Sequence, residues 1–134
     1  MTENLLTRGQ LERKLSQEIQ ALYRHYLGHQ PSKVTCQLFD EKLAVIVENS
    51  LTTTEKVLIN EGKEDLAQKV RSNLNNAIKP ELKHSIEKTM ALEVLDILSD
   101  TTIETERTGI IAVLNNTPQV RNPEAIPKVK NKKY

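Results

Sequence analysis

Apolar residues recur along this chain with two different periods, and the changes of period divide it into elements. Leu11, Leu15, Ile19, Leu22 and Tyr26 fall three or four apart, the spacing that lines one stripe of a helix. Thr7 and Gln10 stand ahead of them at capping-box spacing, and Gly28 follows, so a helix is predicted from Thr7 to Leu27. Val34, Cys36 and Leu38 then alternate with Thr35, Gln37 and Phe39, which is the period of a strand. Asp40-Glu41-Lys42 is a polar turn. Leu43 to Val47 is a near-continuous apolar run, the pattern of a strand covered on both faces or nearly so. The two runs predict a β-hairpin with a short loop.

The stretch from Thr52 to Met90 is helical in pattern almost throughout. Thr52 and Glu55 repeat the capping-box spacing, and Asn60-Glu61-Gly62 reads as the stop of a short first helix. Leu66, Val70, Leu74, Ile78, Leu82 and Ile86 recur every four residues, and they are taken as the stripe of a second, longer helix. Pro80 lies inside that stripe. It has no amide hydrogen to donate, so a kink or restart is predicted near Ile78 to Pro80.

Ala91 to Thr102 fits helix or strand by period. The β-branched Thr101-Thr102-Ile103 and the short run favour a strand. Glu104 to Arg107 is a polar loop, and Gly109 to Leu114 is a further strand. The expected fold class is therefore α+β. Two hairpins give a four-stranded antiparallel sheet, with the N-terminal helix and the central helical stretch packed on it. The face of the sheet away from the helices also needs cover, which a second subunit can supply. The first helix either packs on its own sheet or forms a seam with a second copy, and a homodimer is expected.

Composition narrows this picture. At 134 residues the chain is one domain's worth. With no Trp, one Phe and three Tyr, its core must be aliphatic, and base-stacking platforms are lacking, so nucleic acid is an unlikely partner. The lone Cys36 rules out an intrachain disulfide and fits a reducing compartment. The polar start has no signal-peptide pattern, and no apolar run reaches the ~18 residues of a membrane-spanning helix. A cytoplasmic protein is expected, peripheral to the inner face of the membrane if it meets one. Residues 1–114 hold fourteen Lys and Arg against seventeen Asp and Glu. Residues 115–134 hold five against one. A single domain over 1–114 is thus expected to carry a basic, proline-containing flexible tail over 115–134.

Four segments together resemble the MpsC family, named for a component of a proposed sodium-translocating, membrane-potential-generating system. They are ALYRHYLGHQPSKV at 21–34, LTTTEKVL at 51–58, the KVRSNL…IKPELKHSIEK pattern across 69–88, and LDILSDTTIETERTGIIAVL at 95–114. The resemblance covers roughly residues 8–114. Thr89-Met90 stands where the family pattern often has Thr-Gly. The resemblance implies a small soluble domain, found alone or near genes for membrane ion and bicarbonate-uptake proteins. It carries over no catalytic residues.

The candidate chemistry is sparse. His25 and His29 are four apart, but Gly28 breaks the helix between them, so no metal site is expected. Cys36 reads as a buried thiol. Arg71, among Asn73, Asn75 and Asn76, is a candidate anion-binding group or a residue paired to an acid. Ser99 and Asp100 at a strand end are candidate ligand contacts or turn residues. Lys128, Lys130, Lys132 and Lys133 are candidate partner contacts, through an anionic surface or a membrane protein. No phosphate loop, dinucleotide fingerprint or nucleophile elbow occurs, and no cofactor is expected. A non-enzymatic accessory or regulatory module is the leading expectation, bound to a membrane ion or bicarbonate transport protein. A small-anion sensor using Arg71, Ser99 and Asp100, or a cryptic enzyme, are the alternatives.

Overall fold

The computed structural model describes residues 4–129. The elements run α1 (Arg8–Leu27), β1 (Lys33–Phe39), β2 (Lys42–Glu48), α2 (Thr53–Asn60), α3 (Glu64–Met90), β3 (Val94–Thr102) and β4 (Arg107–Leu114). Both predicted capping boxes form, Thr7 with Gln10 and Thr52 with Glu55. Gly28 ends α1 with φ of 67°, a left-handed conformation that a residue with a Cβ adopts only under strain.

The strands make one antiparallel sheet in the order β1-β2-β4-β3, so the two hairpins meet along β2 and β4. Strand period places Cys36, Leu38, Leu43, Val45, Val47, Ile97, Ile110 and Ala112 on one face, all buried. α1 covers that face over β1, and α3 covers it over β3. Leu11, Leu15, Ile19 and Tyr23 of α1 are buried there. The α1 stripe therefore faces its own sheet, which removes the seam reading of this helix. Tyr26 sits off the stripe, half-exposed, and donates its hydroxyl to Glu81 at 2.9 Å. The free edge of β1 is covered by α1 side chains: Glu12 accepts from the Leu38 amide at 2.8 Å, and Arg8 donates to the Leu38 carbonyl. Such cover satisfies edge groups that otherwise recruit another strand.

Three expectations are corrected. α3 is continuous through Pro80, so the helix does not restart there. Pro80 forfeits one backbone bond, but Ile78 and Leu82 on either side are buried in the core and hold the helix together. The buried line of α3 is Ala67, Arg71, Asn75, Ile78, Leu82, Ile86 and Met90, while Leu66 is 46% exposed. A helix turns about 100° per residue, so a step of four overshoots a full turn by about 40°, and five such steps rotate the stripe by about 200°. Leu66 and Ile86 cannot share a face.

The third correction concerns the expected tail. Val120 and Ile126 belong to the core. The Arg121 amide donates to the Leu6 carbonyl at 2.8 Å, and the Asp40 amide to the Pro127 carbonyl at 2.8 Å. Arg8 donates to the Ala125 carbonyl at 2.7 Å. Apart from a 3-10 turn at Pro123–Ala125 the segment is irregular, and it lies across the start of α1 and the β1–β2 turn. Lys128 is exposed at its end; Lys130, Lys132 and Lys133 lie outside the described residues.

Candidate functional site

The capping box at the start of α2 leaves one face of the Glu55 carboxylate free, and α3 brings Arg71 to it. Arg71 donates through Nε to Oε2 at 2.7 Å and through Nη2 to Oε1 at 2.5 Å, a bidentate pair with both side chains at most 3% exposed. The same guanidinium donates to the Ser50 carbonyl at 2.8 Å and to Asn75 Oδ1 at 3.3 Å. Burial works to raise the Glu55 pKa. The hydrogen bonds and charge of Arg71, with those of Thr52, outweigh it and hold the carboxyl below its usual range.

From Asn75 the bonds continue through three hydroxyls. Asn75 Nδ2 donates to Thr101 Oγ1 at 3.0 Å; Thr101 and Thr108 are 2.7 Å apart, and Thr108 and Ser50 are 2.8 Å apart. Ser50 Oγ donates to the Glu106 carbonyl at 3.1 Å. A hydroxyl has one hydrogen to give. Since Ser50 gives its hydrogen to Glu106, it accepts from Thr108, and Thr108 in turn accepts from Thr101. All bonds then point one way, from Arg71 through Asn75, Thr101, Thr108 and Ser50, so each polarises the next. A second donation from Arg71, to the Ser50 carbonyl, closes the loop through the Ser50 backbone in the opposite sense. This ring ties the start of α2 to α3, β3 and β4.

A polar cleft of about 250 Å³ opens beside the ring, with Gln68, Arg71, Ser72, Asn75, Asp100 and Thr101 in its walls. Arg71 and Asp100 thus share a cleft. Ser99 stands opposite Ile110 on the helix-covered face, and its Oγ is buried without a hydrogen bond to the described residues. Asp100 Oδ1 accepts from the Thr101 amide at 2.8 Å, a local backbone contact of the kind that Asp makes in turns. Arg71's charge is matched by Glu55, so the guanidinium brings no uncompensated positive charge to the cleft.

The titratable groups elsewhere are held in ordinary structural settings. Burial pushes the Cys36 thiol up to about 11, partly offset by the neighbouring Ser16 hydroxyl, and a thiol so raised is a poor nucleophile at neutral pH. Burial likewise raises the Tyr23 phenol to about 12, with the Arg71 charge acting the other way. His29 Nε2 contacts the Asn49 carbonyl at 2.8 Å. Among the described residues no three His, Cys, Asp or Glu side chains gather as a metal site does.

Sequence reasoning placed Thr52 and Glu55 in a cap and named an acid partner for Arg71 as one option. It did not join the two; it set Asn75 beside Arg71 in one polar cluster but missed Ser50, Thr101 and Thr108. The available signal was the rotation of the α3 stripe, which puts Arg71 and Asn75 on the buried line after Ala67. Three of the segments that carry the family resemblance meet here. Segment 51–58 brings Thr52 and Glu55, segment 69–88 brings Arg71 and Asn75, and segment 95–114 brings Thr101 and Thr108.

A family model described as "Na+-translocating membrane potential-generating system (MpsC)" matches residues 7–116. No curated protein matches the chain, and no solved structure does. No described helix is long and apolar enough to cross a membrane.

Proposed function

This chain belongs to the MpsC family, and from that premise we propose that it is a non-enzymatic accessory module that binds a membrane protein of an ion-transport system. The family's description supplies the sodium-translocating setting. Bicarbonate uptake as the coupled process, a cytoplasmic position against the inner membrane face, and assembly as a homodimer are parts of the same proposal.

The observation that carries it is the anchored C-terminal segment. Asp40 holds it at both backbone and side chain, with its amide donating to the Pro127 carbonyl at 2.8 Å and its Oδ1 accepting from the Val129 amide at 3.0 Å. Exposed Lys128 and the basic residues that follow it in sequence therefore start from a fixed point on the body. A row of lysines beside an anionic surface gains about 1 kcal/mol each, enough to orient a docked module but not to hold it alone. The polar ring supports the same reading from inside. It joins the elements by bonds that are already matched to one another, which suits a frame for presenting surfaces.

The test is cross-linked co-purification from native membranes with the full chain and with a variant in which Lys128, Lys130, Lys132 and Lys133 are replaced by Ser. One transport protein enriched by the full chain and lost with the lysines places the contact at the C-terminal end. Retention in both places it on the folded body. If no membrane protein enriches with either, the reading fails. Ending the chain at Leu114 is the wrong comparison, because it removes Val120 and Ile126 from the core.

A further inference from the structure

The face of the sheet turned away from the helices has an arrangement of large and small residues that repeats under a two-fold rotation. We infer that this face is the contact between two copies of the chain, related by a two-fold axis running along the strands between β2 and β4. The inference rests on the homodimer part of the proposal above and assigns it a surface.

Cross-strand partners of an antiparallel pair share a face, so the register fixes what lies there. One row across the sheet reads Thr35, Ile46, Gly109, Asp100, and the next reads Gln37, Ala44, Ile111, Leu98. Ile46 is 42% exposed and Leu98 55% exposed. The stated axis exchanges β2 with β4 of the facing copy. Ile46 then stands over Gly109 of the second copy, and Ala44 over Ile111 of the second copy. On the two central strands each large side chain meets a small one, while Leu98 lies over Gln37 of the second copy, and each pairing occurs twice, as an isologous contact requires. This also accounts for the near-continuous apolar run of β2: Leu43, Val45 and Val47 fill the core, and Ala44 and Ile46 fill the dimer.

Charge selects this axis over the other two-fold that stacks the sheets. Glu48 and Arg107 are neighbours on this face, joined at 2.6 Å. Under the axis along the strands, Glu48 of one copy faces Arg107 of the other, and the four charges alternate in sign. Lys33 and Lys42 lie toward the β1 side, while Asp96 and Asp100 lie on β3, so the basic side of one copy covers the acidic side of the next. An axis across the strands would set β3 over β3 and bring four carboxylates together, which is repulsive. Packed sheets of this kind keep their strands within about 30° of each other. Four strands of this length make a face roughly 20 Å on a side. That is small for a specific complex, so a weak, concentration-dependent dimer is expected.

The test uses charge exchange, because these side chains are at the surface and their replacement leaves the core intact. Sedimentation velocity of the full chain from micromolar to near-millimolar concentration should show a monomer–dimer equilibrium. Glu48→Arg alone and Arg107→Glu alone each set like charges across the axis and should weaken the dimer about tenfold or more. An equimolar mixture of the two variants should restore it, since each introduced charge then meets its opposite. A dimer unaffected by either variant overturns the surface while leaving a homodimer. A monomer at every concentration overturns both. Loss in the single variants without recovery in the mixture overturns the axis.

Discussion

Replacing Arg71 by Met should be among the most destabilising single changes in this protein. Arg71 and Glu55 are 3% and 1% exposed, and Met leaves the carboxylate buried without its counter-charge. Breaking a buried pair from one side costs about 3–5 kcal/mol. The Ser50 carbonyl and Asn75 Oδ1 each lose a donor as well, so a loss near 4 kcal/mol at pH 7 is expected, against about 5–15 kcal/mol for a whole domain. Urea unfolding reads this as a fall in midpoint of about 2 M, for a slope near 2 kcal/mol/M. The pH dependence follows from the direction of the Glu55 shift. Its folded pKa is lowered from 4.5, so the stability it contributes is fully present above that value and is lost as pH falls through the folded one. Without Arg71, only the Thr52 hydrogen bonds oppose the effect of burial, so the carboxyl's pKa rises relative to the native chain and the variant takes up the proton at higher pH. The deficit should therefore shrink as pH falls from 7 toward 4. Adding Glu55→Gln, which keeps the acceptor that caps α2, should recover much of the loss. A deficit below about 1 kcal/mol at pH 7 would refute the account of the ring, as would one that stays constant with pH.

Other outcomes follow from the same contacts. Ending the chain at Leu114 removes buried Val120 and Ile126 and should cost about 3–5 kcal/mol in urea unfolding. Cys36, with its thiol raised to about 11, should react with iodoacetamide at pH 8 only as fast as the chain unfolds; rapid labelling of the native protein would contradict its burial. Gly28→Ala puts a Cβ at φ of 67° and should cost about 1 kcal/mol in chemical denaturation, with no change in the far-ultraviolet signature of the fold.

The fold class was legible because each element announces itself locally. Thr7–Gln10 and Thr52–Glu55 are caps whose partners lie within one turn, and the strand runs carry their period in a few residues. What was not legible depended on angles accumulated over distance. The stripe Leu66 to Ile86 reads as one face only if four-residue steps are treated as whole turns. The actual rotation moves Leu66 outward and Arg71 inward. Pro80 argues for a break by its own chemistry, and the burial of Ile78 and Leu82 overrides it. The segment after Leu114 has the composition of a tail, yet Val120 and Ile126 find places in the core that only the assembled sheet and α1 provide. Of the candidate site residues, the sequence brings forward Arg71 but not its neighbours, because Ser50, Thr101 and Thr108 come from separate strands and loops. Ser99 and Asp100 are adjacent in sequence but alternate across the sheet, so a strand delivers them to opposite faces.

The proposed role requires recognition of a membrane protein rather than lipid. The most direct measurement is sedimentation of the purified full chain with vesicles made from native membranes, beside protein-free liposomes of the same extracted lipids at the same ionic strength. Saturable binding to the native vesicles, abolished by protease treatment of their surface, is expected, with weak, salt-sensitive binding to the liposomes. Equal binding to both would reduce the interaction to lysines on an anionic surface, and binding to neither would contradict the account.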